Sequence, residues 1–310
     1  MANQRVVDSF VIDELIGEMK ELIQFYEEHF DYKKIRSSKI QKWIDELTNP
    51  RIEQLKKFEY YFQLRQYVRV MKTFKKHSEK IKKDTIKKML SGGDDSKNDR
   101  SSDYFFEIDI ARRFIEREDF KGINLNDNTD IIFISSIFKG DVLIECKNIN
   151  SEKSFENNIR KANNQLKIQL ENNTSSNKGS LGIIAVNLNN IFDREEYFNL
   201  LFPIMDSFIR HYEELGRDGV DILSDKNFER AFSSILQGLL EFKFRKMFLK
   251  FEGNNYKFHE FVTGIFYQVE LMVPIPNADK FFIARVATYY PFFRDPRLAN
   301  FLFDPLAVGI

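Results

Sequence analysis

The stretch GDVLIECKNI, residues 140–149, decides how the chain is read. Val142, Leu143 and Ile144 run together and Cys146 follows, which is the composition of a buried strand. Glu145 and Lys147 then stand two apart at its end. Side chains alternate faces along a strand, so Leu143, Glu145 and Lys147 share one face. Val142, Ile144 and Cys146 share the other and are expected to point into a helix-covered core. Buried charge is costly unless it pairs, binds something or borders a cleft. The two charges therefore mark the strand end as a candidate site.

The preceding stretch, TDIIFISSIF (129–138), reads as a β-branched strand, with Lys139-Gly140 as the turn between them. Asp130 opens that strand. With a four-residue loop at 137–140, residue 130 falls opposite 147 and residue 132 opposite 145, with Asp130 diagonal to Glu145. Diagonal residues sit about 7–8 Å apart, within reach of one shared divalent cation. A two-residue turn keeps the face but moves Asp130 further away. A three-residue loop puts it on the wrong face unless a bulge intervenes. Asp141 shares the Glu145 face but lies four residues back, roughly 13 Å along the strand, and reads as a turn residue after Gly140.

Further out the pattern stays mixed. Residues 103–118 form a helix with Tyr104, Ile108, Ala111 and Ile115 on one face. GINL (122–125) is a short strand. Residues 154–169 form a helix striped by Phe155, Ile159, Ala162 and Leu166, and LGIIAVNL (181–188) is a strongly apolar strand. The order is α-β-β-β-α-β. Hairpins imply antiparallel pairing and the helical crossover implies a parallel pair, hence a mixed sheet.

Two carboxylates and an ammonium at one strand end suit phosphodiester hydrolysis. The carboxylates would hold Mg²⁺ or Mn²⁺, which polarises a phosphate oxygen and lowers the pKa of a bound water. The ammonium would orient that water or stabilise developing charge. Asp130, fourteen intervening residues and then Glu145-Cys146-Lys147, set in this element order, resemble the PD-(D/E)XK nuclease superfamily over residues 102–190. The resemblance implies a restriction-endonuclease-like α/β fold and a metal-dependent endonuclease acting most readily on DNA, with RNA left open. It also implies a supporting metal-site role for Glu107 on the first helix. Gln165, on the helix after Lys147, would orient a metal-bound water or a phosphate. The superfamily's Pro before the first Asp is replaced by Thr129. Restriction or defence against foreign DNA is the biological setting such modules serve. The competing reading is a non-catalytic nucleic-acid-binding or protein-interaction module on the same scaffold.

Residues 1–100 form a helical, basic region, with apolar residues at three- and four-residue spacing from Phe10 to Tyr26 and from Leu55 to Leu90. Residues 65–88 hold ten Lys/Arg against two acids, a net +8. That stripe reads either as a solvated helix face or as a phosphate-contacting surface led by Arg69, Lys72, Lys76 and Lys83, with Arg160 and Lys161 as further candidates. SGGDDSKNDRSSD (91–103) is a linker. Residues 191–310 are helical to about 251 and then read as a β-hairpin with a Phe-rich tail docking on the body or a partner.

The whole chain has 47 Lys/Arg and 47 Asp/Glu, so any nucleic acid must be met by a local patch rather than a global field. One cysteine, Cys146, rules out an intrachain disulfide. With no signal-like N-terminus and no long uncharged apolar run, a cytoplasmic protein with no membrane partner is expected. His259-Glu260 lacks the second His of HExxH, since residue 263 is Thr. There is no GxxxxGK[ST], so a motor would have to be a separate ATPase or helicase partner. Cutting both strands would favour a homodimer, to which the apolar C-terminal region could contribute.

Overall fold

The computed structural model describes residues 9–30, 39–80, 101–125, 130–173, 179–192, 194–216, 225–253, 256–274, 281–292, 298, 301–303 and 306. Among these, seven α-helices and six strands form an α/β architecture around one open mixed sheet. Helices α1 (Ser9–Phe30), α2 (Lys39–Thr48), α3 (Gln54–Lys76) and α4 (Ser101–Ile115) come first. Strands β1 (Phe120–Asn124), β2 (Ile131–Ser135) and β3 (Asp141–Asn148) follow, then α5 (Glu152–Asn173) and β4 (Leu181–Asn187). Helices α6 (Arg194–Glu214) and α7 (Lys226–Glu252) precede β5 (Val262–Pro274) and β6 (Phe281–Pro291).

The strands lie side by side in chain order. β1, β2 and β3 are antiparallel neighbours, while β3, β4 and β5 run parallel. The α-β-β-β-α-β order read from the sequence is present over α4 to β4. The C-terminal hairpin is not a separate sheet: β5 pairs with β4 and β6 closes the far edge antiparallel.

Helices cover both faces, which is why β3 and β4 read as unbroken apolar runs. On one face Val142, Ile144, Cys146, Ile183, Ala185 and Phe266 pack under α1, α3 and α4, with Leu302, Phe303 and Leu306 of the tail. On the other, Leu143, Ile184, Val186 and Ile265 pack under α5, α6 and α7. The strand parity expected for 142–146 is therefore observed. The described tail residues dock on the body: Phe303 stacks on Tyr289 at 4.7 Å, and the Leu306 carbonyl accepts from Arg113 Nη1 at 2.6 Å.

The β2–β3 connection sets the geometry of the strand end. β2 stops at Ser135, three residues earlier than the apolar pattern implies. The Ser135 hydroxyl accepts from the backbone N–H of Ile137 and Phe138, each at 3.0 Å, and takes the chain out of the ladder. Gly140 follows, where a Cβ would run into the Gly179 backbone. No larger residue fits that approach without displacing the loop before β4. Ile134 thus pairs with Asp141 and Ile131 with Ile144.

Candidate active site

One further step along that register places Asp130 directly opposite Glu145, not diagonal to it with residue 147 as its partner. The correction is two residues and follows from the early exit at Ser135. Directly opposite residues share a face and stand about 4.5–5.5 Å apart between Cα atoms, closer than the diagonal arrangement. The face is as expected; the spacing is tighter.

Asp130 also closes the ladder. Its Oδ2 accepts from the Cys146 backbone N–H at 2.7 Å, standing in for a backbone carbonyl beyond the strand's start. This bond fixes the carboxylate over the end of β3. Lys147 Nζ lies 3.0 Å from Glu145 Oε2 and 3.9 Å from Asp130 Oδ2, so one ammonium faces both acids. The Glu145 side chain is wholly buried, whereas those of Asp130 and Lys147 keep 20% and 17% of their exposure. Solvent therefore reaches the trio from the Asp130–Lys147 side.

The electrostatics are strained. Burial, with the neighbouring Asp130 charge, pushes the Glu145 pKa up to about 7, against the opposing pull of Lys147. Burial works against the Lys147 ammonium as well, yet Glu145 and Asp130 outweigh it and raise its pKa. Glu145 Oε1 is buried with no hydrogen-bond partner among the described residues. An unsatisfied buried carboxylate oxygen costs roughly 1–3 kcal/mol or more, and a cation is the ligand that would satisfy it.

The donor set fits a hard divalent cation in kind. Mg²⁺ is commonly held by one or two carboxylates and keeps several waters. Asp130 and Glu145 supply two carboxylates and one free oxygen. Among the described residues no group of three or more His, Cys, Asp or Glu side chains is gathered for a metal, so a third protein carboxylate is not in place.

The other expected residues divide. Glu107 is half-buried on α4, and its charge, with that of Asp130, adds to the burial that raises the Cys146 thiol pKa. It therefore lies near the end of β3, on the Cys146 side. Gln165 is half-buried on α5 beside Leu166, with no hydrogen bond or ion pair to the acidic pair among the described residues. Arg160 is held by Glu156 at 2.8 Å and lies over the Tyr256 ring at 4.4 Å, while Lys161 is exposed.

On α3, Lys72 and Lys76 are exposed, and Lys72 pairs with Glu18 at 2.6 Å. Arg69 turns inward. Burial, with Arg112, Arg285 and Arg113 nearby, lowers its pKa to about 10 despite Asp109. Lys83 and the rest of the basic run beyond residue 80 lie outside the described residues.

Sequence reasoning missed one charged cluster. Asp109 on α4 accepts from Arg112 Nε at 3.1 Å and Arg113 Nη2 at 2.7 Å, and Arg112 reaches Glu116 at 2.5 Å. Arg113 also donates to Gln268 on β5. The signal was present in DIARR: an acid with bases three and four residues on, inside an apolar helix.

No protein-family model, curated protein or solved structure matches this chain. No helix among the described residues is long and apolar enough to cross a membrane.

Proposed function

We propose that this protein is a metal-dependent nuclease that hydrolyses phosphodiester bonds, most readily in DNA, through a PD-(D/E)XK-type site on a restriction-endonuclease-like core. The observation that carries the reading is the trio at the end of β3. Two carboxylates stand directly opposite each other, one with a buried oxygen left unsatisfied, and a single ammonium faces both. A carboxylate whose pKa is raised to about 7 beside a named charge partner is a functional-site signature with a physical cause.

Asp130 and Glu145 would hold Mg²⁺ or Mn²⁺. The chemistry supplied there by the bound ion is polarisation of a phosphate oxygen and a lowered pKa for water. Asp130, fixed by the Cys146 N–H, presents its carboxylate without reorganisation. Lys147 would leave its contacts with the two acids, orient the attacking water and stabilise the charge that develops on the phosphate. Glu107 would support the site from α4, and Gln165 would orient a water or phosphate oxygen from α5. Lys72 and Lys76 would contact the backbone of the nucleic acid from α3.

One observation favours the second reading, a non-catalytic nucleic-acid-binding or protein-interaction module. Lys147 already pairs with both carboxylates, and such a pair can be purely structural. Cleavage of supercoiled plasmid in Mg²⁺ or Mn²⁺ separates the two. The nuclease reading expects nicked or linear product that EDTA abolishes and Lys147→Ala removes. Binding without cleavage under every metal would establish the module instead. Restriction or defence against foreign DNA, a homodimer and a separate ATPase or helicase partner belong to the same proposal.

A further inference from the structure

A row of amides that the acidic trio does not use crosses the parallel strands. Asn148 on β3 pairs in register with Asn187 on β4, and Asn187 with Gln268 on β5. All three fall on the face under α3 and α4, at the carboxyl ends of β3 and β4 and midway along the longer β5. Strand carboxyl ends are where open α/β sheets bind ligands. Neighbouring strands are about 4.8 Å apart, so three amides in register form a flat, evenly spaced hydrogen-bonding edge.

These amides line a cavity of about 330 Å³, within the range of roughly 300–1,000 Å³ typical of small-molecule sites. Its opposite wall is aromatic. Tyr67 stacks on Phe105 at 4.5 Å between ring centroids, and Trp43 meets Tyr67 edge-on at 5.3 Å. Gln63 and Asn190, also on the lining, are exposed, so the cavity opens to solvent.

The amides are held in place. Gln268 Oε1 accepts from buried Arg113, itself pinned by Asp109, which leaves the Gln268 NH₂ group for a ligand. Asn187 Oδ1 accepts from the Asn189 N–H at 3.3 Å, fixing that amide as well. Aromatic walls with planar amide donors and acceptors are the chemistry that recognises a nucleobase, through stacking and hydrogen bonds to the base edge. The row lies on the opposite face of the sheet from the acidic trio: Asn148 follows Lys147 directly on β3, but its side chain shares the Cys146 face.

We infer that the cavity bounded by the Asn148–Asn187–Gln268 row and the Trp43–Tyr67–Phe105 wall is a nucleobase-binding site. The choice of a base over another planar polar ligand rests on the nuclease reading, but the site is testable without cleavage. The base comes either from a free nucleotide or from a nucleotide turned out of a nucleic-acid strand.

Trp43 is the chain's one tryptophan, so its fluorescence reports on the cavity. Titration of the full chain with dAMP, dGMP, dCMP and TMP is expected to give a saturable change in Trp43 emission for at least one of them, or for a single-stranded oligonucleotide. Inorganic phosphate and deoxyribose 5-phosphate are expected to give none. Gln63→Ala and Asn187→Ala, with circular dichroism unchanged, should each weaken the midpoint at least fivefold. Gln63 is exposed, so that variant remains informative if Asn187→Ala fails to fold.

The source is read from a mismatched duplex carrying 2-aminopurine. A rise in its emission on binding assigns an extruded base; a response confined to mononucleotides assigns a free nucleotide. No saturable change with any mononucleotide or oligonucleotide overturns the site, as does an equal response to the phosphate controls. Lys147→Ala keeps the two proposals apart, since it should abolish cleavage while leaving the Trp43 response intact. A Trp43 response in a protein that never cuts retains the base site and removes the nuclease reading.

Discussion

Two groups of charges lie buried on this sheet, and they are built in opposite ways. Around Asp109 the cations outnumber the acid. Burial works to raise its pKa, but Arg113, Arg285 and Arg112 outweigh that and hold it well below the carboxylate range. Both Asp109 oxygens accept hydrogen bonds. At the end of β3 the acids outnumber the cation. There Glu145 is pushed up to about 7 and keeps a bare buried oxygen. Bare buried atoms occur in both groups, since Arg113 Nε and Arg285 Nε and Nη1 also lack partners among the described residues; the difference lies in the charge balance, which holds Asp109 ionised. Buried charge left short of cations is held at a cost that a bound ligand can offset.

Breaking the cation-rich cluster should have the larger effect. Asp109→Ala leaves Arg113 buried without its acid and Arg112 with Glu116 alone, with an expected loss of about 3–5 kcal/mol. Urea unfolding would show it as a fall in midpoint or as failure to fold; a change under 1 kcal/mol would mean that the cluster is not structural. At the strand end, Lys147→Ala should lower the metal-dependent cleavage rate by roughly 10²–10³-fold, equivalent to about 2.7–4 kcal/mol. Its melting temperature should fall little, because Asp130 and Glu145 can share a bound cation. An unfolded Lys147→Ala protein in Mg²⁺ would make the strand end a structural charge cluster like that of Asp109.

The pH dependence sharpens the contrast. The folded state holds the Glu145 proton more tightly than the unfolded chain does. Stability from this group therefore falls as pH rises from about 4.5 to about 7, and the whole penalty stands above that. Glu145→Gln should accordingly be more stable than wild type at pH 8, by about 3 kcal/mol, and indistinguishable near pH 4, while losing cleavage. Thermal melts at the two pH values check this. Equal stability at pH 8 would mean that Glu145 is already satisfied as an anion.

The smallest effect belongs to exposed charge. Lys72→Ala with Lys76→Ala should flatten the salt dependence of DNA binding by about one to two units of log–log slope. Its stability change should stay within about 0.5 kcal/mol, as expected for surface pairs. An unchanged slope would remove α3 from the nucleic-acid contact.

Much of the strand-end geometry was legible in one dimension. The alternation in DVLIECK gave the faces of Leu143, Glu145 and Cys146, because side-chain parity is a local property of extended chain. The diagonal placement of Asp130 was not correct, because register depends on where a strand is left. That exit was made by the Ser135 hydroxyl, which an apolar pattern running on to Phe138 concealed. Arg69 belonged to a basic stripe in sequence but turned toward Asp109, since helix position alone does not say which neighbours arrive from other elements. The hairpin at 262–291 was readable as two strands, while its place beside β4 depended on a parallel pairing across about 80 residues, which local pattern cannot carry.

The sequence by itself determined which residue types could do chemistry here and that Glu145 and Lys147 would share one face of their strand; the face of Asp130 waited on the length of the connection. Periodicity acts over a few positions, and Glu145 and Lys147 lie on one strand. Tertiary structure alone decided that Glu145 would be sealed with an unsatisfied oxygen. It also decided that Arg69 would join a buried arginine cluster, and that Asn148, Asn187 and Gln268 would align into one polar edge. Burial, charge balance and cross-strand register depend on groups brought together from distant parts of the chain, and only the packed sheet assembles them.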